Sequence, residues 1–258
     1  SAASDVYKRQ AGIQADMKAI VACGGYAAGA VTCIVDEDTT HVKGVHLIPA
    51  DMIVGQIRSF LGDVGADCIK IGMLYSKNII RLVAGILDEY SSIPVVVDPV
   101  MVTSSGDKLL EEDAVQAYKD YLFPRASILT PNKKEAEWLC GKELNEGNIE
   151  ECLKDLSRWG NSVVIKSVEN RDFFIDYYYN PVEKVMKVYK KEGIRTRNVN
   201  GTGDSFASAV ATFLSKGYGI EFAVPEAERF IQQSIELGAR FKFGKGFGPV
   251  YPYYEVQE

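Results

Sequence analysis

Histidine is nearly absent from this chain: His41 and His46 are the only two among 258 residues. That is too few for a metal site built on imidazoles. The five cysteines, Cys23, Cys33, Cys68, Cys140 and Cys152, are odd in number, and no pair has C-x-x-C spacing. This reads against a disulfide framework or a zinc site and for a reducing, cytoplasmic setting. Positive charge is not in excess. With 29 Lys and Arg against 35 Asp and Glu the net charge is −6, so a nucleic-acid partner, which wants a basic surface, is not expected. No run approaches the roughly 18 apolar residues of a membrane span. No charged start, apolar stretch and small-residue cleavage site opens the chain. What remains is an ordinary globular composition, 47% hydrophobic and 25% charged, in a length that fits one large α/β domain or two small ones.

Residues 1–10, SAASDVYKRQ, show neither an initiator Met nor apolar periodicity. They resemble translated sequencing-adapter sequence and are expected to be a non-native segment, with a disordered native tail as the alternative. Residues 11–258 are expected to form a single domain. Ile13, Met17, Ile20 and Val21 repeat at helical spacing until Gly24-Gly25. Residues 28–35 read as a buried strand. Pro49 opens a helix with Ile53, Ile57, Phe60 and Leu61 on one face. Further strands are expected at 68–73, 94–98, 127–130 and 162–166, and further helices at 77–90, 111–122, 135–139 and 149–159. Residues 173–179 and 185–189 read as an antiparallel pair around Asn180-Pro181. Helices at 202–214 and 225–243 follow. Alternating strands and helices imply βαβ units and a mainly parallel sheet covered on both faces. Such folds bind ligands at the carboxyl ends of their strands. The chemistry is therefore expected just after Asp98, Thr130 and Lys166 and at Gly201.

Four strings at those places carry chemistry. In Asn200-Gly201-Thr202-Gly203-Asp204 two glycines permit a tight turn, and the helix that follows aims its free amides at one point, an anion hole for phosphate. Asp204 in the first turn can accept a hydroxyl proton beside that hole. No Lys-Ser/Thr pair follows, so this is not a Walker A loop. The string also reads as a plain glycine turn with Asp204 as a capping residue. In Thr130-Pro131-Asn132-Lys133-Lys134-Glu135, Asn132 and Glu135 are spaced to converge on one water or a hard cation such as Mg²⁺, or to form an ordinary turn with Glu135 solvated. Asp98-Pro99-Val100-Met101 ends a strongly apolar strand, so Asp98 suits a metal or phosphate role, or a hydrogen bond to the next loop. In Lys70-Ile71-Gly72-Met73-Leu74, Gly72 permits close backbone approach, and Met73 either covers a flat ring or packs in the core.

Taken together the strings AGIQADMKAI, GGYAAGAVT, VKGVHLIP, KIGML, VVVDPVM, SGDKLL, ILTPNKKEAE, RTRNVNGTGD and GKGFGPV, in this order over residues 11–250, resemble the hydroxymethylpyrimidine and phosphomethylpyrimidine kinases of thiamine biosynthesis. These belong to the ribokinase-like superfamily, with pyridoxal kinases as close relatives. The resemblance implies a three-layer α/β/α sandwich with a mainly parallel central sheet. It also implies ATP and Mg²⁺ as cofactors, a homodimer, and no membrane or nucleic-acid partner. The implied reaction is phosphorylation of the hydroxymethyl group of 4-amino-5-hydroxymethyl-2-methylpyrimidine and/or its monophosphate. Pyridoxal kinase is the alternative, and a catalytically silent vitamin-binding protein a more remote one. Among the residues, it implies Asp204 as general base and Gly201, Thr202 and Gly203 as the anion hole. Asp98, Asn132 and Glu135 would organise Mg²⁺ and the ATP phosphates, with Lys166 on the nucleotide side. Ala11, Gly12, Asp16, Met73 and Val100 would line the pyrimidine pocket with Glu37.

The chain departs from the pattern in four places. The strand and Gly-rich turn that usually precede AGIQAD are replaced by residues 1–10. Aspartate stands at 204, where the pyrimidine kinases usually carry Cys. Glu37 aligns with their pyrimidine-recognising Gln, and a carboxylate cannot donate a bond back to a ring nitrogen; the triplet Asp36-Glu37-Asp38 also reads as a solvated loop. Ser167-Val168-Glu169 stands where the family has a Gly-rich turn.

Overall fold

The computed structural model describes residues 11–101, 113–170 and 173–253. The readings of residues 1–10 and of the SGDKLL string lie outside the described residues. In chain order the elements are α1 (Gly12–Ala22), β1 (Cys33–Glu37), β2 (Val42–Leu47), α2 (Ala50–Asp63), β3 (Ile69–Ile71), α3 (Lys77–Glu89), β4 (Val95–Val97) and α4 (Ala114–Ala117). They continue through a π-helical turn (Tyr118–Leu122) and a 3-10 turn (Phe123–Arg125) to β5 (Ile128–Leu129), α5 (Lys133–Cys140), α6 (Ile149–Leu156), β6 (Ser162–Asn170), β7 (Phe173–Asn180) and β8 (Val185–Glu192). β9 (Asn198–Asn200), α7 (Thr202–Ser215), α8 (Ile220–Gly238) and β10 (Gly248–Pro249) complete the order. Among the described residues no helix is long and apolar enough to cross a membrane.

Among the described residues, six strands form the central sheet in the order β3-β4-β5-β6-β7-β8. The pairings from β3 to β6 are parallel and those of β6 with β7 and β7 with β8 antiparallel. Strand alternation divides the interior into two cores. Val95, Val97, Leu129, Val163 and Ile165 pack with residues of α3, α5 and α6. Their neighbours Val96, Ile128 and Val164 point the other way, into residues of α1, α7 and α8. Both faces are thus covered, and the continuous Val/Ile runs of the short strands follow from burial on both sides. α3 shows how local signals place a helix: the Ser76 side chain accepts from the Ile79 N–H, and Ile79, Ile80, Val83, Ala84 and Leu87 form one buried stripe.

Three sequence readings are corrected. The strand expected at 28–35 begins only at Cys33 and runs to Glu37, because Cys33 to Glu37 pair with β2 and the residues before them do not. The last helix starts at Ile220 rather than 225, with Pro225 inside it. Ala223, Val224, Ala227, Phe230 and Ile231 form a buried face that outweighs the one hydrogen bond Pro225 removes near the start of the helix. It ends at Gly238, whose position leaves a Cβ only 3.1 Å from the Tyr251 nitrogen. Finally, Cys140 and Cys152 are joined in a disulfide, Cα to Cα 5.9 Å. Their spacing of 12 residues carries no signature; the packing of α5 against α6 brings them together.

Candidate active site

The carboxyl ends of β3 to β6 and the start of α7 surround a cavity of about 660 Å³. Ala11, Gly12, Glu37, Met73, Asp98, Val100, Asn132, Glu135, Lys166, Gly201, Thr202, Gly203 and Asp204 all line it. Its apolar lining comes from both sides of the sheet: Val35 and Met73 belong to one core, Ile231 and Ile235 to the other.

Backbone chemistry builds the floor. Gly201 precedes α7 with φ +75°, a left-handed turn that glycine makes without strain. The first amides of α7 therefore face the cavity without intrahelical partners. Gly203 allows the closest approach: a Cβ there would lie 3.2 Å from Lys166 Nζ and 3.7 Å from Asp98 Oδ2. Lys166 Nζ donates to Asp98 Oδ1 at 2.8 Å, and Thr130 Oγ1 donates to the same oxygen at 3.1 Å. The Thr202 hydroxyl is turned away, onto the Val199 carbonyl.

Asn132 and Glu135 meet each other in a capping box at the start of α5. The Glu135 N–H donates to Asn132 Oδ1, and the Asn132 N–H to Glu135 Oε2 at 2.8 Å. Glu135 Oε1 also accepts from the Met101 N–H at 3.3 Å. Glu135 is not solvated as one reading had it. Burial, then the negative charge of Asp98, push its carboxyl up to about 8 against the pull of Lys166 and the two N–H groups.

Asp204 sits in the first turn of α7. Its Oδ2 accepts from the Gly12 N–H at 3.1 Å, and its Oδ1 from Lys70 Nζ at 3.2 Å. Burial would raise its pKa; the Lys70 ammonium, the Gly12 N–H and Lys166 overcome this and hold it below the usual carboxylate value. Gly12 turns the chain at φ +61° to aim that N–H.

Asp16 is the one sequence-derived residue that does not line the cavity. It lies on the buried face of α1 with Ile13 and Ala19. Its Oδ1 accepts from Lys70 Nζ at 2.8 Å and from Ser208 Oγ at 2.7 Å, and its Oδ2 has no partner among the described residues. Burial raises its pKa to about 6, with Asp204 adding to the rise and Lys70 opposing it. The family resemblance assigns it to the pocket wall; its place on α1, three residues after Ile13, turns it inside instead.

Lys70 received no role in the sequence reading, yet its ammonium joins the two carboxylates. The available signal was a lysine inside an apolar strand, since a buried charge needs partners. Tyr118 was missed too. Its hydroxyl donates to the Gly72 carbonyl and accepts from the Leu74 N–H, fixing the exit of β3 on either side of Met73.

The doubly covered, mainly parallel sheet with one partly apolar cavity at its strand ends is the architecture of a small-molecule kinase of the ribokinase-like α/β class. The chain belongs to the phosphomethylpyrimidine kinase family, whose profile matches residues 9–251. It is 35% identical over 247 residues to the thiamine biosynthesis bifunctional protein ThiED of Geobacter sulfurreducens, an alignment covering 93% of this chain and 49% of that protein. The chain thus spans about half the length of that relative. It is 33% identical to the hydroxymethylpyrimidine/phosphomethylpyrimidine kinase of Mycobacterium bovis, covering 95% of this chain and 90% of that one. Among solved structures, the ADP complex of Bacillus subtilis pyridoxal kinase superposes with a TM-score of 0.87 at 31% identity, covering 97% of this chain and 95% of the other.

Proposed function

We propose that this chain transfers the γ-phosphoryl group of ATP to the hydroxymethyl group of 4-amino-5-hydroxymethyl-2-methylpyrimidine, or to its monophosphate, in thiamine biosynthesis. It acts in the cytoplasm, as a homodimer. The family match supports the substrate. The observation that carries the chemistry is Asp204, held ionised by Lys70 and Gly12 in the cavity wall shared by Asp98, Lys166 and Gly203.

The pyrimidine ring lies against Met73 and Val100 with Glu37 at its edge, and its hydroxymethyl oxygen approaches Asp204. Asp204 accepts the hydroxyl proton as the oxygen attacks the γ-phosphorus in line. The amides at Gly201–Gly203 meet the charge on the transferring group, and the leaving ADP carries away the bridging electron pair. The work is positioning and electrostatics. Ile231 and Ile235 offer an apolar wall to the nucleobase. The donor set fits Mg²⁺: Asp98 and Glu135 are buried carboxyl groups supplying hard oxygens on the cavity wall, with the Lys166 ammonium on Asp98. Mg²⁺ binds through one or two carboxylates plus phosphates and waters. Asp98 and Glu135 would hold it, with Asn132 beside them, and the ion would neutralise phosphate charge.

Glu37 and the superposition on a pyridoxal kinase favour a second reading, phosphorylation of pyridoxal. The two separate in a comparison of kcat/KM with saturating Mg-ATP. The pyrimidine is expected to exceed pyridoxal by at least about tenfold, some 1.4 kcal/mol in transition-state binding. A reversed ratio makes the chain a pyridoxal kinase, and binding of either ring without ATP turnover makes it a silent binder.

A further inference from the structure

Ser167 is one of two non-glycine residues with positive φ among the described residues, at +58°. The other, Lys184, is at +54° and lies in the turn between β7 and β8. Ser167 instead follows Lys166 directly, in the midst of the cavity wall. The register of β6 against β7 breaks between Ile165 and Val168, so Lys166 and Ser167 form a bulge. The bulge turns the chain where the Lys166 ammonium meets Asp98 and stands against Gly203. A serine resists this conformation, so something must hold it.

The holding group is Asp176 on β7. Its Oδ1 accepts from the Ser167 N–H at 2.7 Å. Its Oδ2 accepts from Lys191 Nζ on β8, also at 2.7 Å. Lys191 donates as well to Glu228 Oε2 on α8. Asp176 and Glu228 are buried, and Glu228 Oε1 has no partner among the described residues. Two strands and a helix therefore converge on one bulge residue. None of these three side chains is needed for the chemistry derived above.

We infer that Asp176, clamped by Lys191 and Glu228, is a positioning residue for the nucleotide: it keeps the Lys166–Ser167 bulge left-handed so that Lys166 points at the phosphate end of the cavity. The inference rests on the kinase reading. Its direct readout is binding of Mg-ADP, which involves no acceptor substrate.

Asp176→Ala removes the acceptor while leaving Lys191 and Glu228 paired, so no lone charge is buried. Calorimetry should show the Kd for Mg-ADP rising roughly tenfold, about 1.4 kcal/mol. Adding Ser167→Gly to that variant should recover most of the loss, to within about threefold of the parent, because glycine adopts the left-handed conformation unaided. A purely structural role for Asp176 would lower Tm and leave Kd unchanged, and glycine would not restore affinity. If Asp176→Ala does not fold, Asp176→Asn retains an acceptor for Ser167 and loses the Lys191 ion pair; it should weaken Mg-ADP by a smaller factor, and an unchanged Kd contradicts the inference. A parent protein that binds no Mg-ADP overturns the kinase reading itself, whereas tight parental binding with an unaffected Asp176→Ala overturns this inference alone.

Discussion

Asp204→Asn is expected to lower kcat by about 10²- to 10⁴-fold, the range of a positioned general base, while KM for ATP stays within about twofold. Asparagine keeps an oxygen for the Gly12 N–H but cannot take the hydroxyl proton. The groups expected to hold ATP, Asp98, Lys166 and the amides of α7, are untouched. The stability consequence is small. Around Lys70 the protein buries two carboxylates, Asp16 and Asp204, against a single ammonium. Removing one negative charge leaves Lys70 paired with Asp16 alone and relieves the repulsion that helps raise Asp16 to about 6. The lowered pKa of Asp204 nevertheless shows that its ionised form stabilises the fold at neutral pH, so Tm should be unchanged or slightly lower as activity is lost. Steady-state kinetics and a thermal melt on the same sample check both halves.

Lys70→Met acts on the same cluster from the other side, and its effect should be the largest on stability. Lys70 is 1% exposed and touches both carboxylates. Breaking a buried pair by removing one partner costs about 3–5 kcal/mol. The pH dependence follows from the direction of each shift. In the parent, the depressed pKa of Asp204 contributes stability above the ordinary carboxylate value, and this is lost as pH falls through its folded pKa. Asp16, raised to about 6, works in reverse: its contribution declines as pH rises toward 6. Without Lys70, burial and mutual repulsion raise both carboxyls, so the native variant binds more protons than the unfolded chain and loses stability with rising pH. The Tm gap between parent and variant should be widest at pH 8 and narrow toward pH 5. Activity should change in the same sense. The parent's base is ionised throughout the neutral range, whereas in Lys70→Met the acid limb of kcat should move up into it. Parallel pH profiles with no narrowing of the Tm gap would show that Lys70 does not set the charge of Asp204.

The difference between what was legible in the chain and what was not follows sequence distance. Gly201 to Asp204, Asn132 to Glu135 and the apolar strand ending at Asp98 are local arrangements, written in turn, cap and strand chemistry over a few residues. The residues singled out in these strings all meet on one cavity, because α/β folds gather strand ends; Ala11, Gly12, Glu37 and Val100, which line the same cavity, came from the family resemblance and not from local chemistry. The clusters beneath were not legible. Lys70 reaches Asp16 across 54 residues and Asp204 across 134. Asp176, in a strand of aromatic neighbours, gives no hint that it will meet Ser167 and Lys191. Pro225 misled for a related reason: its local signal is a helix boundary, and only packing of Ala223 to Ile231 against the sheet overrides it. Asp16 was assigned to the pocket by the family resemblance alone, and its place on the buried face of α1 beside Ile13 carries it inside instead.

The most direct test is a ³¹P NMR time course with the protein, ATP, Mg²⁺ and 4-amino-5-hydroxymethyl-2-methylpyrimidine. The account predicts that the γ-phosphate resonance of ATP disappears in equal measure with the growth of a phosphate monoester on the pyrimidine, and that ADP accumulates. Release of inorganic phosphate in place of the ester, or no consumption of ATP, would contradict it.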